Sequence, residues 1–484
     1  MPYIKGENRD QFTFIPLCLD DYIEEDSICR VVRAFVECLD MKTLGFRYAE
    51  PKETGRPPYD PASMLMLYLY GYQNQVRSSR RLHAETKRNV EVMWLMEKVT
   101  PDDKTICNFR KDNAAALKKV FREFSLWCNR QGLYGKELLG VDGTKIRANN
   151  SRKNIHSQKY EEKKLATVEK KIDRYIAMLE KNDTEEQIEA KIPTEAIVNA
   201  LNRLYEKKEK INVLLERIAD NGGNEISTVD PDAHIMHPSG DGRNLDACYN
   251  VITAVDEKHK LIADFEVSTC PDEKGILPTL TENVKEIMGV TEISAVADKG
   301  FYDGEDIENC ETNGTVCYMP KAENGRLAPD PKYSHDKFKY DKENDYYICP
   351  EGSILYSRKP RKRKDGKYNR AYTNAAACHK CPCYAQCTTD KRGREIQRVP
   401  NQDALDIVDA RMRTEDGRTK FRKRKQIVEH PFGTMKYVWG YRNFLCRSVE
   451  KVTGEQSLVF LAYNLRRVIN IFKENGTNLQ EIMA

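Results

Sequence analysis

Three carboxylates have the clearest potential for chemistry in this sequence. Asp142 and Asp298 each follow a short apolar run, which predicts a buried strand ending on its aspartate. Glu429 lies in a segment with helical spacing. Hard divalent cations prefer oxygen ligands, and paired metal ions promote phosphodiester cleavage. Two strand-end aspartates and one helix glutamate are therefore suited to holding two Mg²⁺ ions.

Each acid also has an ordinary structural interpretation. Asp142 precedes Gly143, and Asp-Gly is a common turn. Arg422, Glu429 and Lys436 are spaced by seven residues, which places them along one helix face. An acid between two cations on such a face is often part of an exposed charge network.

A second candidate metal site is formed by cysteines. Four of them have the spacing that predicts a structural zinc site: Cys349, Cys378, Cys381 and Cys387. Cys383 and His379 are further candidate ligands, and the alternative is a set of reduced thiols without metal. Six other cysteines lie singly in apolar company and are predicted to be small buried hydrophobes: Cys18, Cys29, Cys38, Cys107, Cys128 and Cys446.

Positive charge is concentrated locally, although the net charge is only +4. Residues 358–370 and 411–425 each contain eight Lys or Arg, which favours a polyanionic partner over two solvated loops. Arg77, Arg80 and Lys104 lie at the starts of helical patterns and suit phosphate contact. Charged caps on a plain helical core are the alternative.

The elements that must position these residues follow from periodicity. Residues 1–135 are predicted to be mostly helical, with an amphipathic helix over 26–40 and a buried helix over 64–72. Residues 159–220 have apolar residues at helical steps on both sides of Pro193, which predicts an inserted helical hairpin. Residues 249–267 alternate as a β-hairpin that would pair beside the Asp142 strand.

The predicted fold class is α+β, divided into five parts. We expect a helical N-terminal domain for DNA binding or assembly, a mixed-sheet catalytic core, a helical hairpin, a basic Cys-rich insertion resembling a zinc ribbon, and a C-terminal part with the catalytic helix. Their predicted boundaries are 1–135, 136–158 with 225–320, 159–224, 321–405 and 406–484.

Composition limits the class of protein. A chain of 484 residues with 40% hydrophobic content can bury several cores. No apolar run approaches the roughly 18 residues that a membrane helix needs, and the N-terminus lacks the apolar core of a signal peptide. We therefore expect a cytoplasmic, nucleoid-associated protein without a membrane partner.

The chain resembles bacterial insertion-sequence transposases of the Asp-Asp-Glu (DDE) class. The resemblance covers nearly the whole chain. It rests on Val141-Asp-Gly-Thr-Lys145, Ala297-Asp-Lys-Gly-Phe-Tyr302 and Ile427-Val-Glu-His-Pro-Phe-Gly-Thr-Met-Lys436, with Thr54-Gly-Arg-Pro-Pro-Tyr-Asp-Pro61, Arg77-Ser-Ser-Arg80 and Asn464-Leu-Arg-Arg467.

The resemblance implies a ribonuclease-H-like core with Asp142, Asp298 and Glu429 as the catalytic triad holding two ions of Mg²⁺ or Mn²⁺. Arg422 and Lys425 stand where the family has a tyrosine and an arginine, whereas Lys436 matches the family's lysine. The predicted DNA-binding residues are Arg77, Arg80, Arg361, Lys362, Arg363, Lys364, Arg422, Lys425 and Lys436.

The implied function is movement of the encoding DNA element. A homodimer would bind the terminal inverted repeats of double-stranded DNA, hydrolyse phosphodiester bonds at the ends, and join the freed 3′-hydroxyls to target DNA. Two alternatives stay open: a domesticated DNA-binding protein derived from a transposase, and a metal-dependent nuclease without strand transfer.

Overall fold

The computed structural model of the protein describes residues 18–51, 57–184, 194–238, 244–321, 328–362 and 368–477. Its α-helices within these residues are α1 Ile28–Glu37, α2 Met41–Leu44, α3 Pro61–Gln73, α4 Ser79–Arg88, α5 Val90–Leu95, α6 Asp103–Asp112, α7 Ala114–Arg130, α8 Gln158–Thr184, α9 Thr194–Asp220, α10 Leu277–Met288, α11 Gly304–Thr312, α12 Ala375–His379, α13 Tyr384–Cys387, α14 Gln402–Arg413, α15 Glu415–Gly433 and α16 Val449–Glu474. The strands are β1 Leu138–Arg147, β2 Ile155–His156, β3 Ile226–Ser227, β4 His234–Met236, β5 Asp246–Asp256, β6 Ile262–Ser268, β7 Ile293–Val296, β8 Thr315–Tyr318, β9 Lys339–Asp341, β10 Tyr346–Ile348, β11 Ile354–Ser357, β12 Arg361–Lys362, β13 Tyr368–Thr373 and β14 Glu395–Arg398.

The N-terminal part is helical, as the sequence predicts. Helix α3 is buried on nearly every side because its residues are apolar all round. Asp60 caps it by accepting hydrogen bonds from the backbone amides of Ala62 and Ser63, and Pro61 occupies the first turn, where its missing N–H has no consequence.

A mixed sheet forms the centre of the molecule. Its strand order is β4, β5, β1, β7, β8, and β6 also pairs with β5. β1 is antiparallel to β5 and parallel to β7, and β7 is parallel to β8. The predicted β-hairpin and its place beside the Asp142 strand are therefore confirmed.

One prediction about β1 is wrong. The strand does not end at Asp142, because β1 continues to Arg147, and the alternative of an Asp-Gly turn is excluded for the same reason. The ladder with β5 runs without interruption from Leu139 to Arg147. Cross-strand pairing thus overrides the local preference of Asp-Gly for a turn.

The long helices α8 and α9 pack together as the predicted hairpin. Apolar residues of both helices form a cluster of their own, separate from the main core. Ile176 of α8 is 36% exposed.

The Cys-rich part forms a second antiparallel sheet. Its order is β12, β13, β11, β10, β9, with β14 also paired to β13. A small core that includes Tyr347, Leu355, Tyr372 and Ile396 covers one face of this sheet. Helices α12 and α13 follow β13 and carry Cys378 and Cys387.

Helix α15 lies directly on β1. A Cβ added to Gly140 would lie 2.7 Å from side-chain atoms of both Ile427 and Val428, so the missing side chain at Gly140 permits the close approach. Among the described helices, none is both long and apolar enough to cross a membrane.

The cysteine predictions outside the insertion are partly wrong. Cys29 and Cys128 are buried as expected and Cys446 is half-buried. Cys18, Cys38 and Cys107 are exposed, because apolar neighbours in sequence do not determine which way a single side chain points.

Candidate active site

Asp142 lies on β1, and Asp298 lies close to it, directly after the neighbouring parallel strand β7. Gly140 of β1 pairs with Val296 of β7, and each aspartate follows its pairing residue by two positions. Adjacent strands are about 4.8 Å apart. The negative charge of Asp298 accordingly raises the pKa of Asp142. The structure brings these two predicted site residues together.

Asp142 is largely buried and its carboxylate faces Arg424. Arg424 Nη1 lies 3.2 Å from Asp142 Oδ2, and the two side chains are 16% and 23% exposed. The backbone amide of Gly143 donates to Asp142 Oδ1 at 2.9 Å. Burial raises the pKa of Asp142 to about 6, although Arg424 opposes the shift.

Asp298 is fixed by the turn that follows β7. Its Oδ1 accepts a hydrogen bond of 2.7 Å from the backbone amide of Gly300, and it caps the short 3₁₀ helix Lys299–Phe301. This cap orients the carboxylate at the end of the strand.

Glu429 lies apart from the two aspartates. Its helix α15 turns Ile427 and Val428 onto the sheet and leaves the Glu429 side chain exposed. Among the described residues, no three His, Cys, Asp or Glu side chains are gathered closely enough to hold a metal ion as they stand. The structure therefore does not bring the three predicted acids into one group.

Lys436 lies on a π-helical turn, Thr434–Val438, that continues α15. Its Nζ donates a hydrogen bond to Thr144 Oγ1, two residues beyond Asp142 on β1. Burial lowers the pKa of Lys436 to about 8, while Asp142 opposes the shift. The widened turn changes the helical phase, so Lys436 faces the sheet, whereas Glu429 faces solvent.

One residue that sequence reasoning missed lies beside the aspartates. Glu273, in the loop between β6 and α10, is 8% exposed, and its Oε1 is 3.1 Å from Lys145 Nζ. Its charge raises the pKa of Asp142. The only feature of the local sequence that could have pointed to Glu273 is its place in a polar segment after a strand, and acids are common at such turns.

The predicted DNA-binding residues occupy different environments. Arg77 Nη1 donates to the Asn443 carbonyl oxygen at 2.9 Å and stacks over Tyr441 at 4.6 Å. Arg80 is 88% exposed, and Arg361 and Lys362 are exposed on β12. Arg422 and Lys425 are exposed on α15. Arg363 and Lys364 lie outside the described residues.

The four predicted zinc ligands line one cavity in the second sheet. Cys349, Cys378, Cys381 and Cys387 border it together. The backbone amide of Ser353 donates to Cys349 Sγ at 3.2 Å. Burial raises the pKa of the Cys387 thiol to about 11, and the other three thiols raise it further, against Arg394.

The two further candidate ligands also lie in this part of the chain. Cys383 is half-buried. His379 Nε2 is within 3.0 Å of the Lys391 carbonyl oxygen.

Comparison with known families identifies the class of protein. Residues 348–469 match the family described as Transposase DDE domain, and residues 17–112 match the family described as Transposase domain (DUF772). No curated protein matches the chain. No solved structure matches it either.

Both matches are to transposase domains. Together they indicate an insertion-sequence transposase of the DDE class. Glu429 and Lys436 lie inside the DDE match, whereas Asp142 and Asp298 lie outside both matches.

Proposed function

We propose that this protein binds the terminal inverted repeats of its own insertion sequence, cuts the DNA at the ends, and joins the ends to target DNA. The observation that carries the proposal is the closeness of Asp142 on β1 to Asp298, which directly follows the adjacent parallel strand β7, beside the helix that bears Glu429. The strand order, with an antiparallel β-hairpin on one side of β1 and parallel strands on the other, supports a ribonuclease-H-like core.

The residues at this site have the chemistry that a divalent cation requires. DDE transposase domains generally use divalent metal ions. Carboxylate oxygens are the preferred ligands of Mg²⁺ and Mn²⁺, and burial of Asp142 beside Asp298 leaves negative charge poorly compensated. Asp142 and Asp298 would hold the ions, with Glu429 as the third ligand. Bound ions would activate the attacking oxygen and stabilise the leaving oxygen.

The cations near Asp142 have separate tasks in this proposal. Arg424 partly offsets the charge of Asp142 in the protein without DNA, since the two side chains form an ion pair of 3.2 Å. Lys436 lies beside the same carboxylate and suits a phosphate next to the cleaved bond. The exposed Arg422 and Lys425 on α15, and Arg361 on β12, suit phosphates farther along the duplex.

The insertion suits a structural role. Four half-buried thiols that line one cavity fit the ligand chemistry of Zn²⁺, although they stand farther apart than in a closed site. Zinc bound there would tie together β10, α12 and α13, and so stabilise the sheet that carries Arg361 and Lys362.

Cleavage of the protein's own end DNA tests the proposed activity. Asp298→Ala should abolish Mg²⁺-dependent cleavage while binding of end DNA remains within about threefold, because base and phosphate contacts do not involve Asp298. The exposed Asp272→Asn is the matched control and should cut normally. Robust cutting by Asp298→Ala would refute the site, and cutting without joining by the wild type would favour a nuclease.

A further inference from the structure

Glu273 shares one small space with Asp298. Its Oε2 lies 2.4 Å from the position that a Cβ on Gly300 would take, and Asp298 Oδ1 lies 2.9 Å from the same position. A side chain at position 300 would therefore fill the space that these two carboxylates now share. Two acids this close favour a cation between them.

The other oxygen of Glu273 lies against the strand of Asp142. Glu273 Oε1 is 2.3 Å from the position that a Cβ on Gly143 would take. Gly143 directly follows Asp142, and Gly300 follows Asp298 by two residues. Glycine at both positions leaves room for the Glu273 carboxylate between the two strands.

A buried amide oxygen without a partner lies at the same space. Asn250 is 0% exposed, and its Oδ1 lies 3.2 Å from the Cβ position of Gly143. The Asn250 amide lowers the pKa of Glu273 by hydrogen bonding, whereas Asn250 Oδ1 has no hydrogen-bond partner within the described part of the chain. Buried amide oxygens are normally satisfied, so this one indicates a missing ligand.

The charges around Glu273 fit the same interpretation. Lys145 Nζ is 3.1 Å from Glu273 Oε1 and is the nearest cation to it. Burial raises the pKa of Glu273 and Asp298 raises it further, while Lys145 lowers it. Lys145 thus pairs with Glu273, whereas Arg424 pairs with Asp142.

We infer that Glu273 is a further metal ligand of the active site, that its carboxylate closes onto the ion with Asp142 and Asp298 only when the metal binds, and that Lys145 holds Glu273 in place beforehand. The inference rests on the proposed function, since it concerns the same metal site. Asn250 Oδ1 is an additional oxygen beside this site. No part of the sequence resemblance assigns a role to Glu273.

Binding of Mn²⁺ to the full chain without DNA tests the inference. The probe is Mn²⁺ alone, followed by loss of the free-ion electron paramagnetic resonance signal. Glu273→Gln should weaken Mn²⁺ binding by about tenfold or more, because it removes one anionic ligand. Asp272→Asn, one residue away and exposed, should bind Mn²⁺ as the wild type does.

A second variant distinguishes two possible roles of Glu273: binding the metal ion, or only pairing with Lys145. Lys145→Met removes the competing cation and should bind Mn²⁺ at least as tightly as the wild type. If Glu273 serves only to hold Lys145, Glu273→Gln will bind Mn²⁺ normally, and the inference is overturned. Glu273→Asp replaces Glu273→Gln if the latter does not fold, and it should also bind Mn²⁺ more weakly.

The same assay distinguishes failure of the proposed function from failure of the inference about Glu273. Loss of Mn²⁺ binding in Asp298→Asn but not in Glu273→Gln would overturn the role of Glu273 alone. Unchanged Mn²⁺ binding in Asp142→Asn, Asp298→Asn and Glu273→Gln together would refute the metal site itself.

Discussion

The ionised carboxylate of Asp142 destabilises the protein when no metal ion is bound. Burial raises its pKa to about 6, so its negative charge at neutral pH is destabilising even beside Arg424. A folded-state pKa above the unfolded value near 3.8 means that this penalty is complete above pH 6 and disappears as the pH falls toward 4. A site that accumulates negative charge is suited to a cation.

Asp142→Asn should therefore stabilise the protein without metal. The expected gain in the free energy of unfolding is at most about 3 kcal/mol above pH 6, since one pKa unit corresponds to about 1.4 kcal/mol. The gain should shrink as the pH approaches 4. Thermal melts of both proteins in EDTA at pH 7.5 and at pH 4.5 measure it, and an equal or lower melting temperature for Asp142→Asn at pH 7.5 would contradict the prediction.

Lys436 differs from the exposed cations of α15 because it faces β1. We expect Lys436→Ala to bind Mn²⁺ as the wild type does, retain some hydrolysis, and lose most end-specific cleavage and joining. The reason is that Lys436 positions a phosphate and is not a metal ligand. Cleavage and joining assays on end DNA over a range of salt concentrations measure the loss.

Lys207→Met is the charge-matched control for Lys436→Ala, because Lys207 is exposed on α9 and has no assigned role. Lys436→Arg offers a further check, since arginine stays charged where a lysine of pKa about 8 loses its proton. Unchanged end cleavage by Lys436→Ala would show that this lysine has only a structural role.

At the scale of elements, the cysteine insertion depends on contacts between short segments. Cys349 directly follows β10, Cys378 lies in α12, and Cys387 ends α13, which has only four residues. Helices this short are not stable alone. Their arrangement around one cavity therefore needs a small core, a bound metal ion, or both.

The purified protein should contain about one zinc per chain, because four thiolates complete a tetrahedral site. Cys381→Ser should lose the zinc and make the insertion more sensitive to proteolysis, since binding energy of such a site contributes to folding. Elemental analysis and limited proteolysis measure both effects. Cys107→Ser, which alters an exposed thiol elsewhere, should retain the zinc, and a zinc-free wild type with a protease-resistant insertion would disprove the site.

At the scale of the whole molecule, α16 connects the two matched regions to the sheet. Asn464 Oδ1 accepts from the backbone amide of Ile262 on β6, and its Nδ2 donates to the Ile262 carbonyl oxygen. Gln73 of α3 donates to the Ala462 carbonyl oxygen, and Tyr463 hydrogen-bonds to His430 of α15. One buried helix thus links the N-terminal helices, the sheet and the helix that carries Glu429.

Local pattern alone predicted much of this protein. Period-two alternation predicted β5 and β6, helical spacing predicted α1, α3 and the α8–α9 hairpin, and apolar runs located β1 and β7. These features depend on which face of an element is apolar, and a sequence records that directly. The motifs around Asp142, Asp298 and Glu429 were found through resemblance to the transposase family, which depends on short runs of sequence.

Tertiary structure decided the composition of the site. The β1–β5 ladder carried β1 five residues past Asp142, and the β1–β7 register placed Asp298 beside it. Close packing of α15 on Gly140 and the π-helical turn directed Lys436 toward the sheet, while Glu429 faces solvent. The carboxylate of Glu273 fits beside the two aspartates because Gly143 on β1 and Gly300 after β7 have no side chains to fill that space. Such contacts join residues far apart in the chain, and no local pattern encodes their distances.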